Sequence, residues 1–314
     1  MRWDGDRESA NVEDQRGGGG GGFPMRIGGL GAIIVLIGGL LLGVDPSTLL
    51  SLLNGDQPPQ QTQTQTQTRT QTQPQTQTQP DYNGGYGSSR VPQPEQEANR
   101  EDPAKRFVSV VLADTEDVWK QVFRTGGRNY EEPKLVLFTG RIDSACGMAS
   151  TASGPFYCPN DQKVYLDLGF FEEMKNRFHA SGEFAEAYVI AHEVGHHVQN
   201  ELGILPEATN QRQRSDQRRS NEISVRLELQ ADCLAGVWAY HADRMKHIIE
   251  QGDVEAAMNA AAAVGDDRLQ RQSRGVVVPD AFTHGSSAQR VRWFKRGLET
   301  GSTKQCDTFA ANQP

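Results

Sequence analysis

The most informative part of this chain is the run Ala191-His192-Glu193-Val194-Gly195-His196-His197. It places His192 and His196 four residues apart, with Glu193 directly after the first histidine. Residues i and i+4 share one face of an α-helix, so the two imidazoles can bind one metal ion. His197 points about 100° away from His196 around the helix. We therefore expect His197 either to support a ligand or to have a structural role, and not to bind the metal.

The residues around this motif predict an amphipathic helix over Glu183–Glu201. Apolar residues recur with a period of 3.6, namely Phe184, Ala187, Tyr188, Ala191, Gly195, Val198 and Leu202. His192 and His196 border this stripe, so both should face partly inward. A single inward-facing histidine is usually a hydrogen-bonded core residue. Two at this spacing, with a glutamate between them, favour a metal site.

A second pair of polar residues lies in the run Leu227-Glu228-Leu229-Gln230-Ala231-Asp232-Cys233-Leu234-Ala235-Gly236. Glu228 and Asp232 are again four residues apart, and apolar residues flank both. The neighbouring residues are small, as are Ala191 and Gly195 on the first helix, so the two helices can approach closely. We expect Glu228 to be the third metal ligand and Asp232 to accept the free N–H of a ligand histidine. The alternative is an exposed acidic helix face.

This ligand set predicts one Zn²⁺ per chain and hydrolytic chemistry. Zinc lowers the pKa of a bound water and polarises a scissile carbonyl. Glu193 can take the proton of that water and pass it to the leaving amine. The oxyanion needs a further group, for which His284, Tyr240 and Arg290 are candidates. We name His284 as the second catalytic candidate, although a structural histidine at the entry to a helix explains its position equally well.

Composition limits the remaining possibilities. Hydrophobic residues make up only 36% of the 314 residues, which predicts that part of the chain is unfolded. The formal net charge of −8 argues against nucleic acid as a partner. The predicted organisation follows the chain in order: a disordered head (1–26), a transmembrane anchor (27–44), a disordered linker rich in Gln, Thr and Pro (45–100), a catalytic domain (101–308) and a tail (309–314).

The anchor prediction rests on residues 27–44, which carry no charge and can just span a bilayer as a helix. A buried core helix and a cleaved signal peptide are the alternatives. The flanks look disordered, however, and Gly43-Val44-Asp45-Pro46 is a poor cleavage site. Arg2, Arg7, Arg16 and Arg26 precede the apolar stretch, and the next basic residue is Arg69. This asymmetry predicts a single-pass protein with a cytoplasmic N-terminus and an extracytoplasmic catalytic domain.

The predicted fold class is α+β, with a mostly helical domain and a small sheet. The predicted strands are Lys134–Phe138 and Lys163–Leu168. The predicted helices beside the motif helix are Phe170–Phe178, Asn221–Ile249, Asp253–Val264 and Ser286–Thr300. Residues 207–220 are polar and basic, which predicts a loop. The H-E-x-x-H motif resembles that of zincins, in which an edge strand commonly lines the cleft and pairs with extended substrate, and Lys163–Asp167 is the candidate for that strand.

The combination of motifs resembles the bacterial neutral zinc metallopeptidases with a single N-terminal membrane anchor. The matching segments are Met1–Gly5 with the later glycine run and apolar stretch, Cys146-Gly147, Gly154–Pro159, Val164–Asp167, His192–Gln199, Glu228–Gly236 and Thr283–Gly285. The likeness covers residues 1–44 and about 100–308. A more distant resemblance is to gluzincins such as the CAAX prenyl proteases, in which H-E-x-x-H is completed by E-x-x-x-D. It implies a zincin-like fold, Glu228 as ligand and Asp232 as its supporting residue.

Four cysteines allow three disulfide pairings, and an extracytoplasmic domain permits disulfides. Cys146 and Cys158 are close in sequence, with glycines and a proline between them. We favour Cys146–Cys158 and Cys233–Cys306, the second of which would attach the C-terminal segment to the helix of Glu228. Metal binding by these cysteines is disfavoured, because no C-x-x-C spacing occurs.

The sequence thus predicts a membrane-tethered zinc endopeptidase that acts on a peptide or protein substrate. A non-catalytic zinc-containing binding module of the cell envelope is the alternative. A structural envelope protein, in which the Gln-Thr tract would be the functional part, is a third hypothesis. The intact Glu193 favours the enzyme over the binding module. The four-residue constellation argues against the structural protein. The sequence indicates neither the substrate nor an oligomeric state.

Overall fold

The computed structural model of the chain describes residues 1–17 and 102–314. The strands in this part of the chain are β1 (Val12–Asp14), β2 (Lys134–Phe138), β3 (Arg141–Ser144), β4 (Gly147–Ser150), β5 (Phe156–Cys158) and β6 (Lys163–Asp167). Its α-helices are α1 (Pro103–Thr125), α2 (Gly169–Asn176), α3 (Glu183–Glu201), α4 (Ile204–Gln213), α5 (Gln217–Lys246), α6 (Asp253–Ala263), α7 (Asp266–Arg274) and α8 (Ser287–Thr300). The domain is therefore mostly helical with a small sheet, as predicted.

Four strands form one sheet in the order β1-β2-β6-β5. Strand β2 is parallel to both β1 and β6, whereas β5 is antiparallel to β6. A strand is present at Lys163–Asp167, as predicted, but the prediction that it lies at the edge of the sheet is wrong. β6 has a partner on each side, with Val164 opposite Leu135 of β2 and Tyr157 of β5. The edge strand beside α3 is β5, whose three residues are too few to give a periodic sequence signal.

The two faces of this sheet are covered differently. The helices cover one face, where Leu135, Leu137, Val164 and Leu166 join the main hydrophobic core. The alternate residues of the same strands face the other way and form a smaller cluster with the β3–β4 hairpin. This alternation follows from the two-residue period of a strand. The hairpin thus covers the outer face of the sheet.

The head is the second point at which the structure differs from the sequence prediction. A disordered head was predicted over residues 1–26, yet residues 1–17 pack on the domain and contribute β1 to the sheet. Trp3 contacts Phe107 of α1 edge to face, with ring centroids 5.3 Å apart. The sequence Val12-Glu13-Asp14 is too short and polar to predict a strand. Its order comes from tertiary contacts that local sequence does not encode.

Two glycines allow the helices α3, α5 and α8 to pack closely against one another. A Cβ added to Gly195 of α3 would lie 3.1 Å from the carbonyl oxygen of Ala231 on α5. The backbones of these two helices therefore approach as closely as the small residues predict. Gly236, in contrast, does not face α3. A Cβ there would lie 2.1 Å from the carbonyl oxygen of Phe294, so Gly236 allows α8 to pack on α5.

Most of the predicted elements are present with small changes in their ends. The main correction is at residues 207–220, which were predicted to form a loop and instead belong largely to α4 and the start of α5. Pro206 lies in the first turn of α4, where a proline is tolerated, so it does not prevent this helix from forming. Helix α7 was not predicted. Leu269 is its one apolar residue, so its sequence shows no apolar periodicity.

The predicted anchor at 27–44 and the predicted linker at 45–100 lie outside the described residues. Within residues 1–17 and 102–314, no helix is both long enough and apolar enough to cross a membrane. Both favoured disulfides, Cys146–Cys158 and Cys233–Cys306, are present in the structure. The first joins the β3–β4 turn to β5, and the second joins α5 to the C-terminal segment.

Candidate metal centre and active site

The helix pair α3–α5 brings His192, His196 and Glu228 together. His192 Nε2 lies 3.3 Å from Glu228 Oε2, and His196 Nε2 lies 3.6 Å from Glu228 Oε1. One potential ligand atom from each residue lies within 4.8 Å of the other two. Two helical i,i+4 relationships and the close approach at Gly195 are sufficient to explain this convergence. The three side chains form a group that could bind a metal ion.

The imidazole of His192 is oriented by Asp232, one turn after Glu228 on α5. His192 Nδ1 lies 2.9 Å from Asp232 Oδ1. Asp232 is fully buried, so its carboxylate needs hydrogen-bond partners from the protein. With Nδ1 donating to Asp232, the lone pair of Nε2 is directed toward Glu228. This arrangement is the carboxylate–histidine pairing that commonly supports a metal-ligand histidine.

Asp232 is in turn held by Arg290 of α8 and Tyr188 of α3. The guanidinium donates from Nε to Asp232 Oδ2 and from Nη2 to Asp232 Oδ1, both at 2.8 Å. The hydroxyl of Tyr188 donates to Asp232 Oδ1 over 2.5 Å. Three helices thus converge on one buried carboxylate. The guanidinium charge holds the pKa of Asp232 below its usual value although burial acts to raise it.

His196 has a different supporting residue, Gln199, which lies one turn later on the same helix. His196 Nδ1 lies 2.8 Å from Gln199 Oε1. The amide nitrogen of Gln199 donates to the carbonyl oxygen of Leu227 and to Gln230 Oε1, at 2.8 and 3.1 Å. Gln199 therefore connects His196 to the helix that carries Glu228. Both candidate ligand histidines have Nδ1 engaged and Nε2 directed toward Glu228.

Glu193 lies beside this group and is buried. Among the described residues, the structure records no hydrogen bond to its carboxylate. Burial raises the pKa of Glu193, and the nearby His192 and His196 oppose that shift. Burial also acts to raise the pKa of Glu228, but the charges of His196 and His192 outweigh it and hold that pKa well below its usual range. The two glutamates therefore differ: Glu228 is held as a carboxylate, while Glu193 binds a proton more readily.

His284 lies close enough for its charge to interact with that of Glu228. Asp266, the first residue of α7, holds His284 in place. His284 Nδ1 is 3.2 Å from Asp266 Oδ1, and the backbone N–H groups of Thr283, His284 and Gly285 donate to Asp266 Oδ2 at 2.7, 2.6 and 2.9 Å. Burial acts to lower the pKa of His284, but Asp266 raises it above its usual value. The other ring nitrogen, Nε2, is not engaged by Asp266.

The other two oxyanion candidates have different surroundings. Tyr240 is on α5, about 18 Å along the helix axis from Glu228 at 1.5 Å per residue. It packs over Gly301, where an added Cβ would lie 2.1 Å from Tyr240 Cδ1. Arg290 is engaged with Asp232 as described above. His284 interacts electrostatically with Glu228 and keeps Nε2 free of Asp266, whereas Nε and Nη2 of Arg290 are both bound to Asp232.

His197 has a structural role, which is one of the two roles predicted for it. Its ring nitrogens lie 3.1 Å from Tyr157 Oη and 2.7 Å from the carbonyl oxygen of Glu131. The side chain is fully buried. It thereby connects α3 to β5 and to the segment before β2. It is not part of the His192, His196 and Glu228 group.

Sequence reasoning missed Tyr188, Gln199 and Asp266 as supporting residues. Tyr188 was assigned only to the apolar stripe, although it lies one turn before His192. Gln199 lies three residues after His196, a spacing that places both on one helix face and could have indicated the contact. No local pattern indicated the role of Asp266. It lies 18 residues before His284, which it contacts in the turn that precedes α8.

The donor set fits a zinc ion. Two imidazole nitrogens and one carboxylate oxygen are the ligands of many catalytic zinc sites, in which a fourth position is left for water. Both histidines have a supporting acceptor on Nδ1, as ligand histidines usually do. The third carboxylate, that of Asp232, is fully occupied by His192, Tyr188 and Arg290 and is not available as a ligand. The site thus combines H-E-x-x-H on α3 with E-x-x-x-D on α5 around a group that could bind a metal ion.

Comparison with known proteins agrees with this class. The model of a family described as "Putative neutral zinc metallopeptidase" matches residues 1–83 and 75–309. The chain belongs to this family. The match includes the head as well as the domain that contains the site.

Two relatives show how far the similarity extends. YpfJ of Escherichia coli K12 is 46% identical over 315 residues, which cover 98% of this chain and 99% of YpfJ. Rv2575 of Mycobacterium tuberculosis is 45% identical over 222 residues, which cover 66% of this chain and 73% of Rv2575. The names of both relatives state no activity. No solved structure matches the chain significantly.

Proposed function

We propose that this protein is a zinc-dependent endopeptidase with one zinc ion per chain. The observation that carries the proposal is the convergence of His192, His196 and Glu228, whose ligand atoms lie within 4.8 Å of one another. The orientation of both imidazoles by Asp232 and Gln199 supports it. Membership of the metallopeptidase family supports the same reaction class. The substrate is a peptide or protein.

Glu193 is the proposed general base and acid. A zinc ion bound by the three side chains would lower the pKa of a water molecule and polarise the scissile carbonyl. The carboxylate of Glu193 would take one proton from the attacking water. It would then donate that proton to the nitrogen of the leaving amine. Glu193 directly follows His192 on α3, and its carboxyl group is not one of the three candidate ligands, so it stays available for proton transfer.

His284 is the proposed stabiliser of the oxyanion. Asp266 accepts from Nδ1 and so leaves an N–H on Nε2 when the ring is protonated. A donor aimed at the developing negative charge stabilises the transition state more than the ground state. Asp266 is a positioning residue in this scheme. Its three backbone hydrogen bonds fix the turn on which His284 lies.

The compartment of the catalytic domain is also part of the proposal. Two disulfides favour an oxidising environment, which is found outside the cytoplasm. The uncharged residues 27–44 are the proposed membrane attachment. Together these features support a peptidase of the cell envelope that is held close to a membrane.

The decisive experiment compares wild type with Glu193→Gln in the full chain. We expect both proteins to bind one zinc per chain, because Glu193 is not a ligand in this scheme. Hydrolysis of a quenched fluorescent peptide library should fall by about 10²–10⁴-fold, the usual contribution of general acid–base catalysis. Zinc content is measured by atomic emission, and hydrolysis by the rate of fluorescence increase.

Glu186→Gln is the matched control. Glu186 lies two helical turns before Glu193 on α3, and burial also raises its pKa. Its replacement removes a comparable carboxyl group and should leave hydrolysis within twofold of wild type. Zinc-loaded wild type that cleaves no peptide in the library would favour the non-catalytic binding module. Full activity in Glu193→Gln would contradict the assigned base.

A further inference from the structure

The head, residues 1–17, is bound to the domain through a buried carboxylate. Glu116 of α1 is almost fully buried, and the side chains that hydrogen-bond to it in the described part of the chain all belong to the head. Arg7 Nη2 donates to Oε2 at 2.9 Å, Asn11 Nδ2 donates to Oε1 at 2.9 Å, and the Ser9 hydroxyl also donates to Oε1. Within the described residues, the head thus supplies every side-chain hydrogen bond to this carboxylate and helps to exclude water from it.

Backbone and ionic contacts extend this attachment to the sheet. Strand β1 pairs in parallel with β2, with Val12 opposite Leu135. The carboxylate of Glu13 bridges two lysines of the sheet. Its Oε1 lies 2.8 Å from Lys134 Nζ and its Oε2 lies 2.7 Å from Lys163 Nζ. The head thus contributes a strand to the fold, and its contacts include residues of α1, β2 and β6.

The two ends of the undescribed segment meet at one point on the domain. Arg16 lies just before that segment and Asp102 just after it. Arg16 Nη2 is 2.7 Å from Asp102 Oδ2 and 2.6 Å from Asp14 Oδ2. Lys105 Nζ lies 3.4 Å from the same Asp14 oxygen. The chain therefore leaves the domain and rejoins it within one ion-pair cluster.

This geometry bears on the apolar stretch 27–44. One complete crossing of a bilayer would place residues 1–17 and 102–314 on opposite faces, separated by a hydrocarbon core of about 30 Å. The hydrogen bonds of Glu116 and the pairing of β1 with β2 could not form across that distance. We infer that the head and the catalytic domain lie in the same compartment, with the head permanently paired to β2. This inference replaces the cytoplasmic head that the arginine asymmetry predicts.

The first test uses a zero-length carbodiimide cross-linker on the full chain in isolated membranes. Glu13 should form an isopeptide bond with Lys134 or Lys163, and mass spectrometry should find the joined peptides in a product that migrates as a monomer. Glu13→Gln is the control that removes the reacting carboxylate. Lys120 and Glu132, which form an ion pair within the domain and whose side chains are both accessible to the reagent, provide an internal standard.

Cross-linking at the internal standard without any product at Glu13 would overturn the proposal, because it would show a head detached from the folded domain. Joined peptides found only between two chains would overturn the permanent intramolecular pairing. Products at both sites of one chain are the expected result. Neither readout depends on peptidase activity, so these results are separate from those of the Glu193 experiment.

The second test measures which side of the membrane each part occupies in intact cells. The four native cysteines are paired, so a single introduced thiol reports on its own position. Asp4→Cys places a thiol on the head, and Lys295→Cys places one on the exposed side of α8. Both should react alike with a membrane-impermeant maleimide before and after permeabilisation. Labelling of one thiol in intact cells, with the other requiring permeabilisation, would overturn the inference.

Discussion

Arg290 donates two hydrogen bonds of 2.8 Å to Asp232, one from Nε and one from Nη2. This pair lies in the interior, with Arg290 only 3% exposed and Asp232 fully buried. Asp232 also accepts the N–H of His192, so the orientation of a candidate metal ligand depends on Arg290, which is not one of the three candidate ligand residues. A buried charge pair is stable only while both partners remain. The site therefore extends across α3, α5 and α8.

The first prediction concerns Arg290→Met. Methionine keeps much of the side-chain volume but leaves the Asp232 carboxylate buried without its cationic partner. Such a loss typically costs about 3–5 kcal/mol in the free energy of unfolding. Zinc affinity should fall about 10–100-fold, the usual effect of removing a residue that supports a metal ligand. Chelator competition measures the zinc affinity, and urea unfolding measures the stability.

Arg292→Met is the matched control for this change, because Arg292 is an exposed arginine on the same helix. It should alter the free energy of unfolding by less than about 0.5 kcal/mol and leave zinc affinity unchanged. Wild-type zinc affinity in Arg290→Met would contradict the prediction, because it would mean that Asp232 orients His192 without the guanidinium.

The second prediction concerns His284→Ala. His284 is not one of the three converging ligand residues, so zinc content should remain at one ion per chain. The value of kcat should fall about 10²–10³-fold with little change in KM, as expected for loss of an oxyanion donor. His179→Asn is the control, since His179 is exposed and asparagine tolerates its positive φ of 53°. Loss of zinc in His284→Ala would instead make His284 a ligand.

The sequence predicted the convergence of His192, His196 and Glu228 because the geometry involved is mostly local. Each helix presents residues four apart on one face, whatever surrounds it. The remaining requirement is close approach of the two helices, which Gly195 and Ala231 indicate by their size. The role of the three residues as zinc ligands stays a prediction. Their proximity follows from two local patterns and one packing inference.

The roles of Arg290 and the head could not be predicted in the same way. In the sequence, Arg290 looks like Arg292 and Arg296, the other arginines of α8. What distinguishes it is burial against Asp232, 58 residues earlier. The head appeared disordered because its sequence is polar. Its polar residues are instead ordered by Glu116 and by the free edge of β2, which lie more than 100 residues away.

The third prediction compares the two disulfides. Cys233–Cys306 closes 73 residues and Cys146–Cys158 closes 12. In the loop-entropy description these values correspond to about 4 and about 3 kcal/mol of stabilisation. Replacing both partners by alanine should therefore reduce the free energy of unfolding more for Cys233 and Cys306. Urea unfolding of the two double variants checks the order, and an equal or reversed loss would contradict this explanation.

The last prediction concerns the pH dependence of stability at Glu186. Burial, with the charges of Glu183 and Glu172, raises the pKa of Glu186 to about 7 from its usual 4.5. The folded state thus binds this proton more tightly than the unfolded state. The resulting stabilisation is complete below about pH 4.5 and is lost as pH rises toward 7. Above pH 7 the half-buried carboxylate is charged, so Glu186→Gln should be more stable than wild type by on the order of 1–3 kcal/mol. Urea unfolding at pH 5 to 8 should show this difference in the free energy of unfolding shrinking as pH falls.

The exposed control Glu299→Gln should show a difference near zero at every pH. A pH-independent difference for Glu186→Gln would contradict the assigned titration.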